Sequence, residues 1–208
     1  YTGYHSGYPD IYLIDLTSSA RSRIINSPGT NSGAAFSPDG KQIALTMSFA
    51  GNPEIYVTSA RGKGARQITR HPAVDSSPTW SPDGKHIIFV SDRTGNPQLY
   101  SVSATGGQPQ RLGVGYSFCT EPSLSPDGQR LAFTARSGGS NSVAVYHFQT
   151  RSSQVVASGG AEDPAWGADS KHLVYTKGGA LYMLDVETGA TNRVISGMGR
   201  ISEPNWTR

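Results

Sequence analysis

Four acidic residues of this 208-residue chain stand at or just before a proline in a recurring context: Thr120-Glu121-Pro122, Glu162-Asp163-Pro164 and Ser202-Glu203-Pro204. Carboxylates in such a set can do three kinds of chemistry. A pair held roughly 5 to 9.5 Å apart can hydrolyse a glycosidic bond. Oxygen ligands can hold a hard cation. Carboxylates at loop ends can also simply accept hydrogen bonds from a partner. The remaining reactive residues add little. The histidines (His5, His71, His86, His147, His172) are dispersed without metal-ligand spacing, and His86 and His172 share one place in a repeat. Cys119 is the single cysteine and has no histidine evidently placed to activate it, so it reads as an inert buried thiol. The chain carries no G-x-S-x-G elbow, H-E-x-x-H, Walker A or dinucleotide fingerprint.

The elements that position these carboxylates follow from a repeat. "AFSPDGKQIALT", "TWSPDGKHIIFV" and "SLSPDGQRLAFT" share a Ser-Pro-Asp-Gly phrase, and "AWGADSKHLVYT" is a degenerate copy. The large apolar residue before the turn falls at Phe36, Trp80, Leu124, Trp166 and Trp206, with spacings of 44, 44, 42 and 40. Each unit reads as four short strands, with period-two alternation broken by Gly, Pro and Asn. Proline pre-sets φ in the turn, aspartate bonds the backbone ahead and glycine accepts a positive φ. The turn aspartates Asp39, Asp83, Asp127 and Asp169 are therefore structural. Four-stranded units of this length indicate an all-β chain, a β-propeller with five antiparallel blades. Tyr12, Tyr56, Tyr100, Tyr146 and Tyr182 recur in the third strands as core. Tyr1 aligns with Phe89, in a second strand, and "SEPNW" is a first strand. Pairing of the N- and C-terminal strands is thus expected to close the ring within one domain, residues 1–208. Trp206 pairing with another chain instead would give a strand-exchanged oligomer.

Composition narrows the classes. A net charge of +3 does not argue for nucleic acid, and "RGKGARQITR" reads as a solvated hairpin tip. No apolar run approaches the ~18 to 20 residues of a membrane helix, so a membrane-embedded chain is not expected.

These repeats, with "GNPEIYV", "GNPQLYSVSATGGQPQRL", "TEPS" and "SEPNW", resemble the propeller repeats of the TolB family over essentially the whole chain. Ser-Pro-Asp-Gly alone also occurs in propellers attached to several peptidases; its combination with Glu-Pro and "GG-x-PQR" fits TolB better. The resemblance implies a periplasmic, non-enzymatic member of the Tol–Pal envelope system of Gram-negative bacteria, binding the lipoprotein Pal. It also implies a six-bladed propeller and an N-terminal α/β domain that contacts TolA. This sequence shows five blades and no such domain, so a trimmed or engineered piece of a six-bladed parent, with no retained partner, is the alternative. A five-bladed glycosidase using Glu121, Asp163 and Glu203 is the second alternative.

Partner binding is expected where the first strands begin, around the channel mouth, because loops on a rigid scaffold carry function. By resemblance the partner-contacting loops lie around Thr30, Asn31, Ser32 and Gly33 and around Asp75, Ser76 and Ser77. The equivalent pairs are Thr120 and Glu121, Glu162 and Asp163, and Ser202 and Glu203. Tyr4, Tyr8, Phe49 and Arg93 would form a rim, since aromatics and arginine dominate interface energetics; Phe49 could instead fold onto its blade. Tyr116, Phe118 and Cys119 could add an apolar patch. No cofactor is expected beyond a cation in the channel.

Overall fold

The computed structural model of the chain describes residues 1–205 apart from Ser6, Met198 and Arg200. It is all-β, with five antiparallel sheets that are the blades of a five-bladed β-propeller. The chain divides into two compact units.

The first unit, residues 1–96 and 100–111, holds three sheets. β1 (Thr2–Gly3), β2 (Asp10–Ile14) and β3 (Arg21–Ile25) form a three-stranded sheet. β4 (Asn31–Phe36), β5 (Gln42–Met47), β6 (Glu54–Ser59) and β7 (Arg66–Gln67) form the second in sequence order, as do β8 (Asp75–Trp80), β9 (His86–Ser91), β10 (Gln98–Ser103) and β11 (Gln110–Arg111) the third. The second unit, residues 97–99 and 112–208, carries β12 (Cys119–Leu124), β13 (Arg130–Ser137), β14 (Ser140–His147) and β15 (Ser152–Ala157). Its last sheet is β16 (Ala161–Trp166), β17 (His172–Lys177), β18 (Ala180–Asp185) and β19 (Thr191–Ile195).

In the three middle blades the second and third strands are buried on both faces, which is why they read as near-continuous apolar runs; β2 and β18 are only partly buried. In the first unit Ile55, Val57, Trp80, Ile87, Phe89 and Tyr100 pack in one cluster, and Ile11, Ile43, Leu45 and Tyr56 in another. In the second unit Val143, Val145, Trp166, Leu173 and Tyr175 do the same. The tyrosine series is core as expected in three blades, with Tyr56, Tyr100 and Tyr146 buried.

The Ser-Pro-Asp-Gly turns close by one mechanism. Ser37 Oγ donates to Asp39 Oδ1 (2.6 Å), and that same oxygen accepts the Lys41 N–H (3.1 Å). Ser37 Oγ in turn accepts the Gln42 N–H (2.9 Å). Ser81 with Asp83 and Ser125 with Asp127 repeat the arrangement. In the degenerate copy Asp169 accepts the N–H groups of Lys171 and His172 without a serine. The aspartates thus serve the turns.

Two placements differ from the simplest reading of the repeat. Phe36 is 53% exposed, whereas Trp80 and Trp166 are buried. Trp80 reaches the preceding blade, donating its indole N–H to Ala35 O (3.0 Å). The sheet before Phe36 has no first strand among the described residues, so no equivalent surface covers it. The closing strand expected there centres on Trp206, outside the described residues; residues 201–205 form no strand.

Candidate functional site

Every complete first strand carries the same irregularity at the residues singled out from sequence. Its pairing to the second strand slips between Ser32 and Ala35, Ser76 and Thr79, Thr120 and Ser123, and Glu162 and Ala165. The extra residue of each bulge takes a left-handed backbone: Gly33 (φ 62°), Ser77 (52°), Glu121 (53°) and Asp163 (54°). Glu203 (50°) has the same backbone in the segment that follows β19. Only glycine adopts such a φ freely, and proline next in line disfavours it further. Four non-glycine residues held there each cost on the order of 1 kcal/mol or more, and such strain persists only where surroundings enforce it.

In the second unit the enforcing contacts are the carboxylates themselves. Glu121 Oε2 accepts from Thr134 Oγ1 (2.5 Å) and from the backbone N–H of Asp163 (3.1 Å). Asp163 Oδ2 accepts from Thr176 Oγ1 (3.2 Å) and from the backbone N–H of Glu203 (3.1 Å). Each bulge therefore hands its carboxylate to the N–H of the next. Burial pushes the Glu121 carboxyl up to about 7; the Thr134 hydroxyl opposes the shift and the nearby Asp163 charge adds to it. Glu162 lies beside this relay, its carbonyl accepting from Thr176 Oγ1 (3.3 Å). Thr120 is half-buried and Ser202 exposed. The carboxylates of Glu121 and Asp163 thus form a relay tied to their own scaffold, which Glu162 and Glu203 join through backbone groups. Among the described residues no group of three His, Cys, Asp or Glu side chains is placed to hold a metal ion.

The first unit solves the same position differently. Gly33 has no side chain, and a Cβ there would lie 3.7 Å from Ser77 N. Asn31 is buried and donates its side-chain amide to Pro9 O (3.2 Å) and Ser27 O (2.7 Å). Thr30, Ser32, Ser76 and Ser77 are half-buried. The Thr30 N–H is held by Ser48 Oγ (2.8 Å).

The rim residues divide. Arg93 and Asp75 pair with each other: both Asp75 oxygens accept from Arg93 Nη2, at 3.0 and 2.9 Å. The guanidinium also lies 4.7 Å from the Tyr100 ring centroid, and its side chain is only 14% exposed. Both residues are thus consumed within the blade. Phe49 leans on Tyr56 (centroids 5.2 Å apart), as its folded-back reading has it, and remains half exposed. Tyr4 and Tyr8 are exposed. In the second unit Phe118 lies under the Arg136 guanidinium (4.2 Å), Tyr116 meets Phe133 edge-on, and Cys119 is buried.

A cleft of about 460 Å³ in the first unit is lined by Asn52, Glu54, Arg70 and His71 among others. Arg70 ends the basic run read from sequence as a hairpin tip, Asn52 belongs to the Phe49 loop expected at the rim, and His71 counted among the dispersed histidines. A second depression of about 400 Å³ in the second unit lies among Asp127, Arg130, His147, Asp169, Lys171 and Glu187, at the turn end of its blades.

Comparison with known proteins bears on the whole chain. The TolB beta propeller domain model matches residues 1–208. The structure of TolB from Acinetobacter baumannii superimposes with a TM-score of 0.89 at 31% identity, covering 99% of this chain and 53% of that one. A putative TolB from Agrobacterium tumefaciens gives 0.76 at 20% identity, covering 88% and 72%, a likeness of fold. The Tol-Pal system protein TolB of Francisella tularensis subsp. mediasiatica is 42% identical over 48 residues, which are 23% of this chain and 11% of that protein. The chain thus spans about half of the A. baumannii structure and matches a small part of the curated relative.

Proposed function

The chain belongs to the TolB β-propeller family, and on that premise we propose that it is a non-enzymatic protein-interaction scaffold of the Tol–Pal type, working in the periplasm. The supporting observation is the likeness to A. baumannii TolB across 99% of this chain at 31% identity. The partner this reading names is a Pal-like lipoprotein, met by the blade ends where the first strands begin. The bulges suit that role. A strained, hydrogen-bonded backbone at the start of each first strand presents loop ends in fixed positions, and less ordering entropy is then lost on binding.

Calorimetric titration of the chain with the soluble domain of a Pal-like lipoprotein tests the reading. Saturable binding that weakens about ten-fold or more when Ser76 is replaced by tryptophan is the expected result, since a bulky ring there would block the approach. No binding at high micromolar partner overturns it for this chain and favours a propeller without a retained partner.

A further inference from the structure

One end of the first unit is a continuous surface built from successive blades. Pro9 O accepts the Asn31 N–H (3.2 Å), Thr30 O accepts the Ser48 N–H (3.0 Å) and Pro53 O accepts the Asp75 N–H (3.0 Å). Asn52 Nδ2 donates to His71 O (2.6 Å) and Ala73 O (2.7 Å), tying the β5–β6 loop to the loop before β8. On this stitched frame Tyr4, Tyr8, Phe49 and Val74 are each between 41% and 71% exposed.

The charges at this end are sorted by sign. Asp10 pairs with Arg23 (3.3 Å) and Asp75 with Arg93. Glu54 is buried, and its oxygens accept from the Thr69 hydroxyl and the His71 N–H, each at 2.6 Å. Asp92 accepts the Val74 N–H (2.9 Å). Asp10, Glu54 and Asp75 are thus engaged inside the scaffold, while the half-exposed Asp92 is held at its surface. Arg70, by contrast, is exposed, bonded to the Gln67 side-chain carbonyl (3.2 Å), and makes no ion pair among the described residues. His71 Nδ1 accepts the Ala73 N–H (3.0 Å), so the neutral ring carries its proton on Nε2, as a donor. Arg70 and His71 line the cleft of about 460 Å³, whose wall also includes Ala50, next to Phe49.

We propose that this end of the first unit docks an extended segment of a partner protein in which an acidic side chain stands beside apolar ones. The carboxylate enters the cleft against Arg70 and His71, and the apolar neighbours lie on Phe49 and Val74. Charge complementarity selects this occupant: Arg70 is exposed beside the cleft without an ion pair among the described residues, and Glu54 on the cleft wall already accepts from three donors. The inference rests on the protein-interaction reading above, but not on the identity of the partner.

The test is an amide NMR titration of the full chain with the blocked peptide acetyl-Gly-Asp-Phe-Gly-Asp-Leu-Gly-amide. Its Asn-for-Asp and Lys-for-Asp analogues run in parallel. Amides within 48–53 and 70–74 should shift saturably, with the Asn analogue about five-fold weaker. Arg70→Gln should bring the acidic peptide to the level of its Asn analogue. Phe49→Ala should weaken both of these peptides alike. Equal binding of the Asp and Asn peptides, tighter binding of the Lys peptide, or shifts confined to other loops would each overturn the proposal. If a Pal-like partner binds and neither variant changes its affinity, this surface is wrong and the scaffold reading stands. If the acidic peptide discriminates while the Pal-like domain does not bind, the partner assignment fails and the surface stands.

Discussion

Burial holds the Glu121 carboxyl at about 7 against an ordinary 4.5, and Asp163 is the charged group facing it from the next first strand. The folded chain therefore keeps a proton on Glu121 between about pH 4.5 and 7 that the unfolded chain has released. Stability from this group is present at the acid end of that window and falls as pH rises through it, by roughly 3 kcal/mol in all. Glu121→Gln should remove that slope, because the amide oxygen still accepts from Thr134 and Asp163 N–H while no charge is buried. In urea melts the variant should gain most over the parent at pH 8 and least at pH 5. An equal gain at both values would show that Glu121 does not titrate in this window. The turn aspartates act elsewhere on the scale. The Ser37 hydroxyl and Lys41 N–H hold Asp39 below its usual value, and Ser81 does the same for Asp83. Their contribution is present above the ordinary aspartate range and is lost only in stronger acid.

The blade was legible in sequence as an element because its punctuation is local chemistry: the Ser-Pro-Asp-Gly turn needs only residues within five positions of one another. The bulge was less legible, although a signal existed. Gly33 stands where Ser77, Glu121, Asp163 and Glu203 stand, and a glycine in that series marks a backbone of positive φ. Read that way, the acidic residues before proline are strained links in a relay before they are candidates for catalysis. Arg93 was expected at the rim and Asp75 in a partner-contacting loop, but their mutual pairing spans 18 positions and no local pattern encodes it. Arg70 and His71 were passed over for the same reason, since the Asn52 side chain that seats their loop belongs to a different hairpin. Close approach between blades gives a sharper prediction at this scale. Gly62 and Gly84 both have positive φ, 73° and 69°. A Cβ on Gly62 would lie 2.0 Å from Ile24 O, on β3, whereas one on Gly84 meets only Pro38 Cδ, at 3.8 Å. Gly84→Ala should cost about 1 kcal/mol for backbone conformation alone, and Gly62→Ala at least about 2 kcal/mol more for the clash. Equal losses in thermal melts of the two variants would mean that the hairpin tip does not press on β3.

Across the molecule, protection of the backbone should follow sheet completeness rather than position in the chain. β13 and β14 pair at all eight positions of their hairpin, and most of their core side chains are fully buried. β7 and β11 are two residues each, which shortens the exposed edges of their blades, while β19 is exposed along its whole length. The sheet of β1, β2 and β3 has three strands among the described residues, and β1 pairs with β2 at only two positions. Opening a three-stranded sheet with a free edge exposes less buried apolar surface than opening a complete blade, so it costs less. Native-state hydrogen exchange should therefore be slowest in β13 and β14. It should be faster in β1 and β2 by at least about a hundredfold, equivalent to roughly 2.7 kcal/mol. Matching protection in β1 and β14 would contradict this order and would require a further strand on the free edge of the first sheet. Such a strand is what the repeat spacing assigns to the segment around Trp206. Protection measured at Phe36 then provides an internal control. Its side chain is exposed, with no first strand before it among the described residues, so a completed sheet should slow exchange in β4 together with β1.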